Sequence, residues 1–229
     1  SAQGLFDFDP AEDSFYVGVF AGGAFPGDAD LRGALASTSD TTRLQSNTDA
    51  EFDGSTAFGA FVGYQAPFKY WKWFHPRFEL EISGFESDLE SARINGAAQS
   101  VRGQQSVTTY HLNNYSDIIW QENQRLVPFF GGGLGIADVE LTCATFQPGT
   151  SDPVSRISDS TTALTTTFAG GLTYRASDRF EIYSEARYYT IYGAEFENTA
   201  FAGGVPAFRG DVEDDLDGGQ FTAGVRLRF

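Results

Sequence analysis

The chain of 229 residues is short of several things, and each shortage removes a class of protein. It has one cysteine, Cys143, which allows no internal disulfide and no cysteine-based zinc site. It has 15 Lys+Arg against 31 Asp+Glu, a formal charge of −16. So few cations disfavour a nucleic-acid binder, whose phosphate contacts require them. No apolar run approaches the ~18 residues of a transmembrane helix, which excludes a helical membrane protein. Hydrophobic residues are 41% of the chain, below the ~45–50% of an ordinary globular protein. Ser1-Ala2-Gln3 lacks a basic region followed by an apolar one. An exported protein of this sequence would therefore have lost its signal peptide already.

What is present is equally uneven. Aromatic residues make up 15%, with 22 Phe, and there are 26 glycines. That aromatic content argues against disorder despite the charge. The length suits one domain, since all-β barrels often run to ~200–250 residues.

The dominant periodicity is two. In the stretch 220–229, Phe221, Ala223, Val225, Leu227 and Phe229 alternate with Gln220, Thr222, Gly224, Arg226 and Arg228. Successive side chains of a strand point to opposite faces, so one face is apolar and the other carries two arginines. Phe78, Leu80 and Ile82 alternate with Arg77, Glu79, Glu81 and Ser83. Phe180, Ile182, Ala186 and Tyr188 oppose Glu181, Tyr183, Glu185 and Arg187. Further strand candidates are 14–25, 54–65, 106–117, 126–139 and 161–175. The pattern predicts eight strands of roughly 9–14 residues. Long connections (26–53, 87–105, 140–160, 193–218) alternate with short ones such as 176–178. In an up-and-down meander all the long connections then lie at one end, as in outer-membrane barrels.

Alternation alone does not say which face points outward. A soluble ligand-binding barrel places its apolar face inside, and a membrane barrel places it toward lipid. Opposite charges at strand centres favour the second reading, because they can pair inside a narrow lumen. Aromatics near the strand ends favour it too, as interfacial girdles. Phe15, Tyr16, Phe25, Phe129 and the run Tyr70-Trp71-Lys72-Trp73-Phe74 belong to that group. Closure with an even strand count leaves no unpaired edge, which any spanning sheet requires.

The residues resemble a known family. Tyr16-Val17-Gly18-Val19-Phe20-Ala21-Gly22 is similar to the first strand of the OmpA-like, opacity-type eight-stranded outer-membrane β-barrels, the small porin-like group. Arg77-Phe78-Glu79-Leu80-Glu81 resembles their third strand, and Val127-Pro128-Phe129-Phe130-Gly131-Gly132-Gly133-Leu134-Gly135 a later one. Gly170 to Arg175 with Asp178-Arg179 resembles the sixth strand and its tight turn. The final Phe229 resembles the C-terminal aromatic of the family's assembly signal. The likeness covers about residues 14–229, after an acidic tail at 1–13. It implies an all-β, eight-stranded antiparallel transmembrane barrel of a Gram-negative outer membrane, with long extracellular loops and short periplasmic turns. It also implies a monomer among outer-membrane lipids and lipopolysaccharide, inserted by the barrel-assembly machinery through its last strand. Relatives that anchor the cell wall carry a further domain after the barrel, and no counterpart is expected within this sequence.

Candidate sites follow from the faces. Arg77, Glu79, Glu81, Glu181, Glu185, Arg187, Arg226 and Arg228 form an expected lumen charge network, either fixed or able to switch partners as a gate. Tyr64, Trp71, Trp73, Trp120, Tyr174, Tyr192 and Phe229 are expected at the membrane interface. Asp211, Glu213, Asp214, Asp215 and Asp217 form a candidate weak cation site, although the calcium-loop template fails because Gly224 stands where it needs Glu. Cys143 is read as an incidental thiol in a long loop. The only histidines are His75, expected in a short-side interfacial turn, and His111, expected inside strand four. No Gly-x-Ser-x-Gly elbow is visible, so no enzyme activity and no cofactor are expected. The expected function is structural or surface-interacting, with weak small-solute permeation. The rivals are a soluble ligand-binding barrel and an outer-membrane lipid-modifying enzyme.

Overall fold

The computed structural model describes residues 6–8, 14–121, 123–147, 149 and 153–229. Twelve strands form one antiparallel sheet: β1 (Phe6–Phe8), β2 (Ser14–Pro26), β3 (Ala29–Ser37), β4 (Arg43–Phe52), β5 (Ser55–Gln65), β6 (Phe68–Tyr70), β7 (Phe74–Ile94), β8 (Ala97–Ile118), β9 (Leu126–Phe146), β10 (Pro153–Arg175), β11 (Phe180–Ala202) and β12 (Val205–Arg228). Eight of them close a ring. β2 pairs with β5, β5 with β7, β7 through β12 pair in sequence, and β12 returns to β2. Of the expected acidic tail at 1–13, residues 6–8 form β1 against β6, and the rest lies outside the described residues.

The long connections do share one end, but they are mostly strand. β7 to β12 run 21 to 24 residues each, about twice the ~9–11 that cross a membrane at a tilt. The segment 26–53 folds as the β3–β4 hairpin. β3 pairs with the far part of β12, and β4 with the far part of β7. A second eight-stranded ring, with β3 and β4 in place of β2 and β5, therefore stands on the first. Two of its hairpins are tight. Asn95-Gly96 and Gly203-Gly204 are two-residue turns with positive φ at both positions (48° and 80°, 59° and 77°). That backbone suits the strand twist and favours Asn and Gly.

The two rings are built inside out from each other. Along β7 the inward residues run Arg77, Glu79, Glu81 and Ser83, then Phe85, Ser87 and Leu89. The outward ones run Phe78, Leu80 and Ile82, then Glu86, Asp88 and Glu90. β9 repeats the change: Leu134 and Ile136 face out, then Asp138, Glu140 and Thr142. In the far ring Leu31, Leu35, Val139, Leu141, Ile157, Ile191, Phe196 and Val212 form a packed interior. The near ring has an apolar outside and a polar, aromatic inside.

Candidate functional site

The near lumen is filled from every strand of its ring. On β7, Arg77, Glu79 and Glu81 share the inward phase. On β8 that phase holds His111, Asn113, Tyr115 and Asp117. β11 brings Tyr183, Glu185 and Arg187, and β12 brings Arg226 and Arg228. Glycines across the ring leave room for rings: a Cβ at Gly63 would lie 2.2 Å from the Tyr16 ring.

Two ion clusters result. In the first, Arg77 contacts Glu79, and its Nε donates to Asp117 at 2.9 Å. The Tyr16 hydroxyl donates to Glu79 at 2.8 Å, and Arg226 reaches Glu79 and Glu181 at 3.8 and 3.7 Å. Arg228 donates to Glu181 at 3.0 Å, to Ser14 at 3.1 Å and to Gln65 at 3.2 Å. In the second, Arg187 forks onto Glu81, with one bond at 2.7 Å, and its Nε donates to Glu185 at 3.0 Å. Asn113 and Ser83 donate to the same Glu81 at 3.0 and 3.1 Å. Such partners matter because a buried charge left unpaired is costly.

Aromatic rings occupy the space between the clusters. Tyr16, Phe20, Phe61, Tyr115, Phe129 and Tyr183 pack together in the lumen. The Arg77 guanidinium lies 4.2 Å from the Tyr115 ring centre, and that of Arg226 4.3 Å from Tyr183. Cation–π attraction strengthens when the pair is desolvated. Tyr16 and Phe129, expected as girdle aromatics, therefore face inward: they share the phase of the lumen charges rather than that of the lipid-side neighbours Val17 and Phe130. Asp117 was not among the expected lumen set, yet it is two steps of alternation beyond Asn113 on the same face. That phase is the sequence signal that locates it.

The remaining candidates separate. Trp71, Trp73, Trp120, Tyr174 and Phe229 are exposed at the short-turn end. Tyr64 packs on Phe15 with ring centres 5.0 Å apart. Tyr192 lies at the opposite edge of the apolar band, its hydroxyl 3.0 Å from that of Thr166. His75 is not an interfacial turn residue, because β7 begins earlier than the alternation suggests and carries it inward, buried. His111 is buried, and neither ring nitrogen has a hydrogen-bond partner. Cys143 is in β9 rather than a loop, buried in the far core, where burial pushes its thiol up to about 11. The carboxylates from Asp211 to Asp217 are strung along β12 rather than gathered. Asp214 accepts the backbone N–H of Asp30 at 2.6 Å, and Asp215 that of Gly193 at 2.7 Å. Among the described residues no group of three His, Cys, Asp or Glu stands close enough to hold a metal ion.

At the short-turn end the lumen widens into an open vestibule of about 1190 Å³. Ser14, Gln65, Glu181 and Arg228 are at its lumen side, and the connections after β6, β8 and β10 form its rim. Around the near ring, Val17, Val62, Leu80, Leu112, Leu134, Phe168 and Val225 make a continuous exposed apolar belt. No helix among the described residues is long and apolar enough to cross a membrane. The belt on a closed ring can cross, because closure satisfies every backbone group internally. The same conclusion is reached from the known proteins: the model of the outer membrane protein beta-barrel domain matches residues 10–229.

The chain belongs to the outer-membrane β-barrel family.

It is thus a protein of the bacterial outer membrane, with its long strands extracellular and its short turns periplasmic. The fold is similar to that of the outer membrane protein OprG from Pseudomonas aeruginosa, at TM-score 0.55 and 16% identity, covering 96% of this chain and 98% of that one. It is also similar to the outer membrane protease OmpT from Escherichia coli, at TM-score 0.52 and 9% identity, with both chains covered fully (100%). Neisserial surface protein A matches at TM-score 0.47 and 14% identity, over 94% of this chain and 97% of that one. No curated protein matches the chain. The family contains both the protease and non-enzymatic barrels, so membership does not carry an activity with it.

Proposed function

We propose that this protein is a closed structural barrel that carries an acidic, rigid extracellular surface for interaction outside the cell. The observation that carries the reading is a lumen filled at two successive levels. Arg77, Arg187 and Arg226 with their carboxylates fill the membrane level, and Leu31, Phe196 and Val212 with their neighbours fill the extracellular level. An eight-stranded ring leaves an interior just wide enough for side chains. Weak small-solute permeation would require Arg187 to leave Glu81 and the apolar core above to part, so it is a minor activity if it occurs. Planar-bilayer recording with the purified protein tests this. Silence at both polarities is expected, and reproducible unit conductance steps would overturn the closed reading.

The surface role rests on the extracellular exterior. Glu86, Asp88, Glu90, Asp138, Glu140, Glu195, Glu197, Asp211 and Glu213 all face outward above the apolar belt. Arginines such as Arg93, Arg156 and Arg209 are interspersed, but carboxylates outnumber them, and a predominantly acidic surface of that kind selects partners by charge and speeds their approach. Outer-membrane lipid and lipopolysaccharide are the proposed surroundings of the belt, and the last strand, ending at Phe229, the proposed segment read by the barrel-assembly machinery. The proposed role is not catalytic. His111 is enclosed by the lumen clusters, with no nucleophilic side chain bonded to either nitrogen.

A further inference from the structure

We infer that the periplasmic vestibule is a binding site for a multiply charged phosphate-bearing anion. Its charge is opposite to that of the molecule. The chain carries −16 overall, yet of its 15 cationic side chains six line this one cavity: Lys69, Lys72, Arg125, Arg175, Arg179 and Arg228. Among the described residues, Asp178 and Glu181 are the acidic side chains of the lining. Glu181 is already engaged, by Arg175 at 3.4 Å and Arg228 at 3.0 Å. Lys72, Arg125 and Arg179 have no carboxylate partner among the described residues, and Lys69 stands opposite Asp7 where β1 pairs with β6.

These four come from three separate connections. Lys69 and Lys72 belong to the β5–β7 link, Arg125 to the β8–β9 link and Arg179 to the β10–β11 link. They therefore surround the mouth rather than cluster on one side of it. Like charges gathered around a cavity repel, and low-dielectric walls focus their field inward. A bound polyanion removes that repulsion. The fixed end of the cavity is rigid, because Arg228 is held by Ser14 and Gln65 as well as Glu181. The volume, about 1190 Å³, is at the upper end of ordinary small-molecule sites and exceeds what one inorganic ion needs. Guanidinium forks match phosphate oxygens in pairs, and lysines add point charge, so phosphate groups spaced several ångströms apart fit the rim best. Trp73 and Trp120 supply apolar wall between the cations.

Phosphate could arrive on a soluble periplasmic compound or as a phospholipid headgroup from the adjacent leaflet. Titration calorimetry of the folded full-length chain with tripolyphosphate, in zwitterionic micelles at low salt, tests the shared chemistry. Saturable binding at one site per chain is expected. The double variant Lys72→Gln/Arg179→Gln should weaken it at least tenfold, and raising salt from about 50 to about 200 mM should weaken it severalfold. Arg93→Gln/Arg156→Gln, at the extracellular end, should leave it unchanged and serves as the matched loss of two charges. Boiling-dependent gel migration verifies that each variant is folded. Absence of saturable binding, or equal affinity in the double variant, would overturn the site. Repeating the titration in phosphatidylglycerol and phosphatidylcholine nanodiscs separates the sources. Competition confined to phosphatidylglycerol assigns the headgroup, and equal affinity in both assigns a soluble ligand.

Discussion

The near and far rings of this barrel share β7 to β12 and their alternation, with the phase shifted only where β11 bulges after Ile191, yet they solve opposite problems. The near ring is surrounded by lipid. Its apolar residues face out, and its lumen holds Arg77, Glu79, Glu81, Asp117, Arg187 and Arg226. The far ring is surrounded by water. Its carboxylates face out, and its interior is Leu31, Leu141, Ile157, Phe196 and Val212. No register slip along β7 separates Glu81 from Phe85: the same inward row changes chemistry at about Gly84. The comparison teaches that strand phase sets which residues share a face, while the surrounding solvent sets which face is apolar. It also reconciles the two rival readings of the alternation, since the extracellular ring has the interior of a soluble barrel.

Substitutions that exchange the two environments test this contrast most strongly. Arg226→Ala removes the cation between Glu79 and Glu181 and leaves buried carboxylates undercompensated, at a cost of about 3–5 kcal/mol in urea unfolding from vesicles. Phe196→Ala opens a cavity in the far core and costs a similar ~3–5 kcal/mol. The two should differ in where the loss appears. Phe196→Ala should make the extracellular ring sensitive to protease while the boiling-dependent gel shift survives, and Arg226→Ala should weaken the shift itself. Equal effects on both readouts would mean that the rings are one cooperative unit.

A matched pair on the outer surface is next in size. Leu112→Arg places a cation in the lipid-facing belt and should cost about 2–4 kcal/mol. Thr142→Arg, outward on the far part of β9, should stay within about 0.5 kcal/mol. Similar costs for both would place lipid around the far ring too.

Two smaller effects report on the far ring alone. Cys143 has its thiol raised to about 11 by burial, so at pH 8 it should label with maleimide only as fast as that ring opens. Rapid labelling of the folded protein would show that the core is loosely packed. Asp214 is raised above the usual carboxylate range chiefly by burial. Its folded form holds the proton more tightly than its unfolded form, so its stabilising contribution is complete at low pH and lost as pH rises through its folded value. Asp214→Asn should remove that small pH dependence from protease resistance of the far ring, and an unchanged profile would assign it to other groups.

Much of the near ring was legible in the sequence. Arg77-Phe78-Glu79-Leu80-Glu81 and the stretch 220–229 alternate strictly, so their charged and apolar residues had to separate. The far ring carries the same signal in Ala137-Asp138-Val139-Glu140-Leu141-Thr142-Cys143, and the hairpin signals Asn95-Gly96 and Gly203-Gly204 mark its ends. Its acidic residues make these segments resemble solvated loops, because composition averages over the two faces that alternation keeps apart. Tyr16 and Phe129 were harder still, since an aromatic ring suits either a girdle or a lumen.

The sequence by itself determined the periodicity, the tight turns, and hence the pairing of consecutive strands into an antiparallel meander. Those are local properties of backbone geometry and of neighbouring side chains. Only the closed tertiary structure decided that β3 and β4 continue the ring above β2 and β5, that Asp117 meets Arg77, and that the apolar face points out in one half and in in the other. Period two defines two faces without labelling either as the interior. That label comes from closure, which puts one row against the opposite wall and leaves the other to whatever solvent surrounds that height of the barrel.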